Sequence, residues 1–137
     1  MNAGENKRQY LSLIQGVIDR MGNNSFCLKG WAIAVMVALY ALASPEKNKF
    51  AIGSLIIIVI LWFLDAYYLQ LEKKYRYLYN DARKKIEDEI DFDLNYNNSL
   101  IRMGEIKKYS YFNVLISKTI LPFYITCILI TVLVYFI

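Results

Sequence analysis

Apolar residues run in long unbroken stretches along this chain, separated by charged blocks, and only the N-terminal segment interleaves the two. Between Glu5 and Met21, Tyr10, Ile14, Val17, Ile18 and Met21 share one helical stripe, while Lys7, Arg8, Ser12, Gln15, Asp19 and Arg20 fall mostly opposite. That amphipathic helix is too polar to cross a bilayer. It lies on the cytoplasmic interface or, the arrangement expected here, packs on another cytoplasmic helix. Gly22-Asn23-Asn24-Ser25 reads as a break, with Ser25 placed to cap the next helix. Phe26 to Ala43 then forms a first span and Phe50 to Tyr68 a second, joined by the turn Ser44-Pro45-Glu46-Lys47-Asn48-Lys49. Trp31 and Tyr40 bracket the first span as interfacial aromatics, and Trp62, Tyr67 and Tyr68 mark the inner end of the second.

The second helix does not stop with its span. Leu71, Tyr75, Leu78, Ala82 and Ile86 prolong an apolar stripe, and Glu72–Arg76 and Asp81–Lys85 have the favourable i,i+4 polarity. One helix from about Phe50 to about Ile86 is predicted, its second half projecting into the cytoplasm. Asn95, Asn97 and Asn98 give the stretch from Asp91 to Ser99 turn chemistry. Gly104 interrupts Ile101 to Ile116, which suggests a short interfacial helix. Ile120 to Ile137 is an apolar run of 18 residues, about 27 Å as a helix and enough to cross once. Pro122 falls in its first turn, where a missing N–H matters little. A re-entrant or peripheral helix over 109–137 is the alternative.

These elements predict an all-α membrane protein: three transmembrane helices, an N-terminal amphipathic helix, and a long cytoplasmic extension of the second span. The chain divides into an amphipathic cytoplasmic helix (1–22), a transmembrane hairpin (26–71), a cytoplasmic helical region (72–118) and a third transmembrane helix (119–137). A soluble domain would interleave its 57% hydrophobic and 20% charged residues; their segregation here points to a membrane. Residues 1–29 carry four Lys/Arg and residues 71–118 carry ten, against two in the 44–49 turn. Basic residues collect on the cytoplasmic side, so the N-terminus is expected inside, with the turn and the C-terminus outside. No secretory signal is expected, since the first apolar run begins near residue 26 without a small-residue cleavage site.

Lys29 and Asp65 each lie 18 residues from Lys47, at the centre of the turn. In two antiparallel helices that means equal depth, about 27 Å from the turn and close to the inner face. An ionisable pair within spans is a functional candidate. At that depth most of the desolvation cost disappears, which favours a structural pair over a gate or ion pathway. Proton transport ranks lowest, for it would want a second carboxylate deeper in. Gly30, Ala34, Ala38 and Ala41 recur at spacings of four, four and three, a small-residue seam suited to close approach of another helix. Chance in an Ala-rich helix is the bland reading. Tyr124, Cys127, Thr131 and Tyr135 form a mildly polar stripe that lines a narrow pore or, the favoured reading, a helix–helix seam.

The acidic run from Glu87 to Asp93 lacks the spacing of a calcium loop and reads as a solvated face or a contact for a basic partner. Interleaved tyrosines and cations between Tyr67 and Lys85 suit anionic lipid better than nucleic acid, which is not expected as a partner. Cys27 and Cys127 fall in or beside apolar segments and read as small buried hydrophobes rather than a disulfide. The chain has no histidine, no phosphate-cradling glycine loop, no nucleophile beside a base and no metal-ligand spacing. No enzyme, cofactor or metal site is expected.

One further set of residues carries a resemblance. It comprises Tyr10-Leu11, Ile14-Gln15, Ile18, Arg20-Met21, Asn24-Ser25-Phe26, Leu28-Lys29-Gly30-Trp31, Leu64-Asp65, Tyr68-Leu69, Glu72, Arg76, Leu78-Tyr79, Asp91-Phe92, Ser117-Lys118-Thr119 and Phe123-Tyr124. Through these, over its whole length, the chain resembles a recurrent family of small bacterial multi-span membrane proteins. That family in turn looks like the membrane effectors that bacteria pair with soluble sensors in anti-phage defence. The resemblance implies an oligomeric, pore-forming or membrane-disrupting effector controlled by a soluble partner or signal. The alternative is a non-conducting membrane anchor or accessory subunit that recruits a soluble partner. The expected partners are the lipid bilayer, further copies of the chain, and a soluble cytoplasmic protein.

Overall fold

A computed structural model describes residues 4–42, 46–104 and 106–137. Five helices follow in order: α1 (Glu5–Leu42), α2 (Lys47–Ala82), α3 (Tyr96–Met103), α4 (Tyr111–Leu115) and α5 (Leu121–Phe136), with short 3-10 turns at Glu87–Glu89 and Ile106–Tyr109. No strand occurs among the described residues. The second half of the turn predicted over 44–49 belongs to α2, which begins at Lys47; residues 44 and 45 of it lie outside the described residues. α1 and α2 are long and apolar enough to cross a membrane. α5 is apolar but has 16 residues, about 24 Å of helix.

The predicted break at 22–25 does not occur, and α1 is continuous through it. Glycine in a helix interior costs about 1 kcal/mol and asparagine less. Packing outweighs this, because Ile18 and Leu28 on either side, and Ser25 between them, are all buried. Ser25 is therefore a mid-helix residue facing inward, not a cap. The N-terminal half of α1 lies on the extension of α2, where Tyr10, Ile14 and Ile18 meet Leu78 and Ala82 in one core. A second core joins the apolar halves, with Ala32 and Met36 of α1, Ile58, Ala66 and Leu69 of α2, and Tyr124 and Cys127 of α5. α2 thus runs antiparallel to both of its long neighbours.

α2 ends at Ala82, short of the expected Ile86, because Ile86 is extended (φ −78°, ψ 165°) and turns the chain back toward α1. The turn brings the Glu87 carboxylate onto the first turn of α1. It accepts from the Asn6 N–H at 2.9 Å and the Lys7 N–H at 3.3 Å, two donors that a helix start leaves without intrahelical partners. Lys7 Nζ donates to the Lys85 carbonyl at 2.7 Å, and the Tyr10 hydroxyl donates to the Asp93 carbonyl. Phe92, which meets the Tyr10 ring edge-on at 5.7 Å, holds a left-handed φ of 54°. Lys85 lies past the helix end and reaches Asp91 at 3.5 Å, while Asp81 accepts from Ser99 Oγ at 2.9 Å and docks α3. Glu72 and Arg76 pair at 2.8 Å. The acidic run is occupied locally: Glu89 accepts from Ile86 N–H, Asp91 from Asp93 N–H, and Asp93 from Asn95 N–H and the Asn98 amide.

Gly104, at φ 68°, ends α3 in the left-handed conformation that glycine adopts without strain. Residues 109–115 then lie along α2, held by polar side chains. Gln70 Nε2 donates to the Tyr109 carbonyl (2.7 Å), Trp62 Nε1 to the Leu115 carbonyl (3.1 Å), and the Tyr111 hydroxyl to the Phe63 carbonyl (2.7 Å). The expected interfacial helix survives only as the five residues of α4.

Glu87→Ala removes the carboxylate from the start of α1 and is expected to weaken the α1–α2 head by about 1 kcal/mol. The effect should appear as faster amide hydrogen exchange at Asn6 and Lys7 with unchanged protection around Ala66. Unaltered exchange at both N-terminal amides would show that the contact holds nothing in place.

Candidate functional site

Unbroken helix through 22–25 puts Ser25 and Lys29 one turn apart on the same face of α1. Opposite them on α2 stands Asp65, with none of its surface exposed. Lys29 Nζ lies 2.6 Å from Asp65 Oδ2. The Tyr124 hydroxyl of α5 donates to the same oxygen at 3.1 Å, and Ser25 Oγ donates to Oδ1. Lys29 Nζ also donates to Ser25 Oγ at 2.9 Å, so the serine hydroxyl relays between cation and anion. Trp62 stacks on the Tyr124 ring at 6.0 Å and 10°, which fixes where the phenol points. Three helices therefore meet on one carboxylate.

The arrangement has a plain electrostatic logic. A buried carboxylate without partners is strongly unfavourable, and one that is both ion-paired and hydrogen-bonded at each oxygen is tolerated. Lys29 keeps 22% of its side chain exposed, so the cation retains some contact with the surroundings while the carboxylate has none. Both Asp65 oxygens are occupied and the charges cancel. The apolar runs 26–43, 50–68 and 120–137 contain no other carboxylate. Chemically the cluster is suited to clamping helices, and it offers no second acceptor to which a proton could pass.

The other candidates are placed differently. Gly30, Ala34, Ala38 and Ala41 are all exposed on the side of α1 turned away from α2. A Cβ built on Gly30 meets nothing within 4 Å. The contact face of α1 is instead Ser25, Leu28, Ala32 and Met36. Tyr124, Cys127 and Thr131 are buried against the neighbouring helices, and Tyr135 is exposed. Thr131 Oγ1 accepts from the Tyr40 hydroxyl at 2.6 Å and donates to the Cys127 carbonyl at 2.9 Å. Tyr40 thus ties α1 to α5. Cys127 is buried as expected, but Cys27 is exposed, because its neighbours Ser25 and Leu28 take the face toward α2; both thiols are free.

Ser25 and Tyr124 are the partners of Asp65 that sequence reasoning assigned elsewhere, one to a cap and one to a stripe. The i,i+4 spacing of Ser25 and Lys29 was the available signal for the first. Nothing local in the sequence joins Tyr124 to Asp65, 59 residues away. Compared with protein-family models, with curated proteins and with solved structures, the chain matches none.

Lys29→Met strands a buried carboxylate and is expected to lower stability by about 3 kcal/mol, whereas Lys29→Met/Asp65→Leu should recover most of that loss. Thermal unfolding in detergent, followed by tryptophan fluorescence, measures both variants. A double variant no more stable than Lys29→Met contradicts the clamp.

Proposed function

We propose that this chain is a small bacterial inner-membrane effector that works as a homo-oligomer, permeabilises the membrane between its copies, and responds to a soluble partner or signal at its cytoplasmic head. Placement in a membrane is supported by the exterior. Only 22% and 28% of the apolar windows of α1 and α2 are buried, too little for core helices of a soluble protein, and Phe26, Trp31, Val37, Ile56 and Ile60 are exposed. With α5 as a third, slightly short crossing, the Lys/Arg distribution puts the N-terminus and residues 71–118 inside and the 44–49 turn and C-terminus outside.

The observation that carries the oligomer is the division of α1 into two faces. One is filled by α2; the other, Gly30, Ala34, Ala38 and Ala41, is smooth and has nothing of its own chain upon it. Small residues let helix backbones approach closely in lipid, where association depends on packing and not on the hydrophobic effect. The polar stripe of α5 is largely turned inward and Asp65 is neutralised within one copy. A conducting path therefore belongs between copies. α1 and α2 run without a break from the head into the spans, so a shift imposed on the head moves the membrane ends of both. The link to anti-phage defence follows from the sequence resemblance alone.

A non-conducting anchor is the second reading, and the closed polar interior of the single copy favours it. Dye entry into cells expressing the protein, alone and with the product of a neighbouring gene, separates the two. The effector admits dye and the anchor does not.

Ala34→Leu/Ala38→Leu fills the smooth face. Both positions are exposed, so the stability of one copy should change by no more than about 0.5 kcal/mol. Association and dye entry should be abolished. Cys27, exposed and on the same helical stripe as Ala34, supplies the assay: oxidative cross-linking should join wild-type copies and fail in the variant. Dye entry that persists in a variant still cross-linked through Cys27 contradicts the proposal.

A further inference from the structure

A cleft of about 560 Å³ opens where α2 leaves its apolar half, walled by α2, α3, α4 and the segment between α3 and α4. Gln70 and Lys74 come from α2, Asn97 from α3, Lys107 and Ser110 from the connecting segment, and Asn113 from α4. Among the described residues it has two lysines and several neutral polar groups on its walls and no carboxylate. Neither lysine takes part in any ion pair among the described residues. Lys74 Nζ sits 5.2 Å over the Tyr96 ring, a contact that orients the ammonium without neutralising it. Burial also pulls Lys74 below its ordinary value, as expected for a partly desolvated cation without a counter-ion. The walls are firm: the Gln70–Tyr109 hydrogen bond at 2.7 Å ties the connecting segment to α2. The Ser110 hydroxyl makes no capping bond to α4.

Depth narrows the ligand. Gln70 and Lys74 lie five and nine residues beyond Asp65, about 7 and 13 Å along the helix axis. With Asp65 near the inner edge of the hydrocarbon, the cleft is level with the headgroups and just beneath them. We propose that this cleft binds a phosphate-bearing anion, and that the headgroup of an anionic phospholipid is the source its depth favours. Two ammonium groups meet the phosphate charge, and the hydroxyl and amide groups supply neutral hydrogen bonds to its oxygens. A soluble phosphate ester would meet the same chemistry from the cytoplasmic side. The inference rests on membrane placement and is independent of whether the protein conducts.

Native mass spectrometry of the full-length protein, released from mixed phosphatidylglycerol and phosphatidylcholine nanodiscs, tests it. The wild type should retain phosphatidylglycerol over phosphatidylcholine by about tenfold or more, as two lysines at an anionic surface allow. Lys74→Gln/Lys107→Gln should lose that preference. Arg83→Gln/Lys84→Gln, which removes the same charge from exposed residues past the end of α2, should keep it. Lys107→Glu changes only the exposed rim and should lose the preference even if the double variant folds poorly. A second arm adds pyrophosphate to protein in pure phosphatidylcholine nanodiscs. Pyrophosphate added to the mixed nanodiscs as well completes the comparison: retained phosphatidylglycerol that it does not displace assigns the site to lipid, and pyrophosphate binding in pure phosphatidylcholine that is lost in the lysine variants assigns it to a soluble phosphate compound. Wild type that prefers neither ligand, or lysine variants that bind like wild type, overturns the proposal.

Discussion

A fully buried carboxylate is the constraint on which this fold turns. Asp65 is tolerated in apolar surroundings only because Lys29, Ser25 and Tyr124 reach it together. Each partner fixes a piece of architecture. Lys29 sets the register of α1 on α2, Ser25 requires that α1 stay helical through glycine and two asparagines, and Tyr124 seats the start of α5. Loss of any one leaves a charge or a lone pair unsatisfied in a place water does not easily reach. The cluster therefore favours one arrangement of three helices over sliding or rotated alternatives, which apolar packing alone would discriminate weakly.

Away from that level the contacts change character. Toward the turn, α1, α2 and α5 meet through aliphatic side chains, with Tyr40 and Thr131 adding one polar tie. Toward the head, the stripe of Tyr10, Ile14 and Ile18 continues the same pairing in a more polar setting, closed off by Glu87 at the start of α1. Head and apolar half are thus one continuous pair of helices. Motion imposed at Glu87 has a direct mechanical route to Asp65, with no flexible joint between them among the described residues. A signal received at the head and a response in the membrane are compatible with that construction.

The surface complements the interior. A single copy satisfies its own charges and turns most of its polar stripe inward, leaving large apolar side chains outside except along one strip of glycine and alanine. On the proposed reading, lipid covers the former and a second copy the latter. Where α2 leaves its apolar half the surface changes again, and a cationic cleft without carboxylates among the described residues replaces the apolar exterior. The apolar and smooth surfaces share the apolar half of the helices, and the cationic one lies beyond it on α2.

Much of this was legible in the residues themselves. Unbroken apolar runs of span length fix the helical class, because an apolar run with no polar partner of its own has to satisfy its backbone within the helix. The stripe at Tyr10, Ile14 and Ile18 announces a packed helix, and equal distances from Lys47 announce that Lys29 and Asp65 are level. Three things were not legible there. The 22–25 segment has the local chemistry of a break, and only the burial of Ile18, Ser25 and Leu28 on α2 overrides it. α2 stops at Ala82 although its stripe continues to Ile86, because Glu87 is drawn to the amides of a helix some eighty residues earlier. Tyr124 joins Asp65 through a contact that no periodicity encodes, and Lys107 and Lys74 come to line one cleft from separate elements. Local pattern determines which stretches become helices and which face is apolar; where those helices end, and which polar groups meet, is decided by the requirement that buried charges and orphan amides find partners in three dimensions.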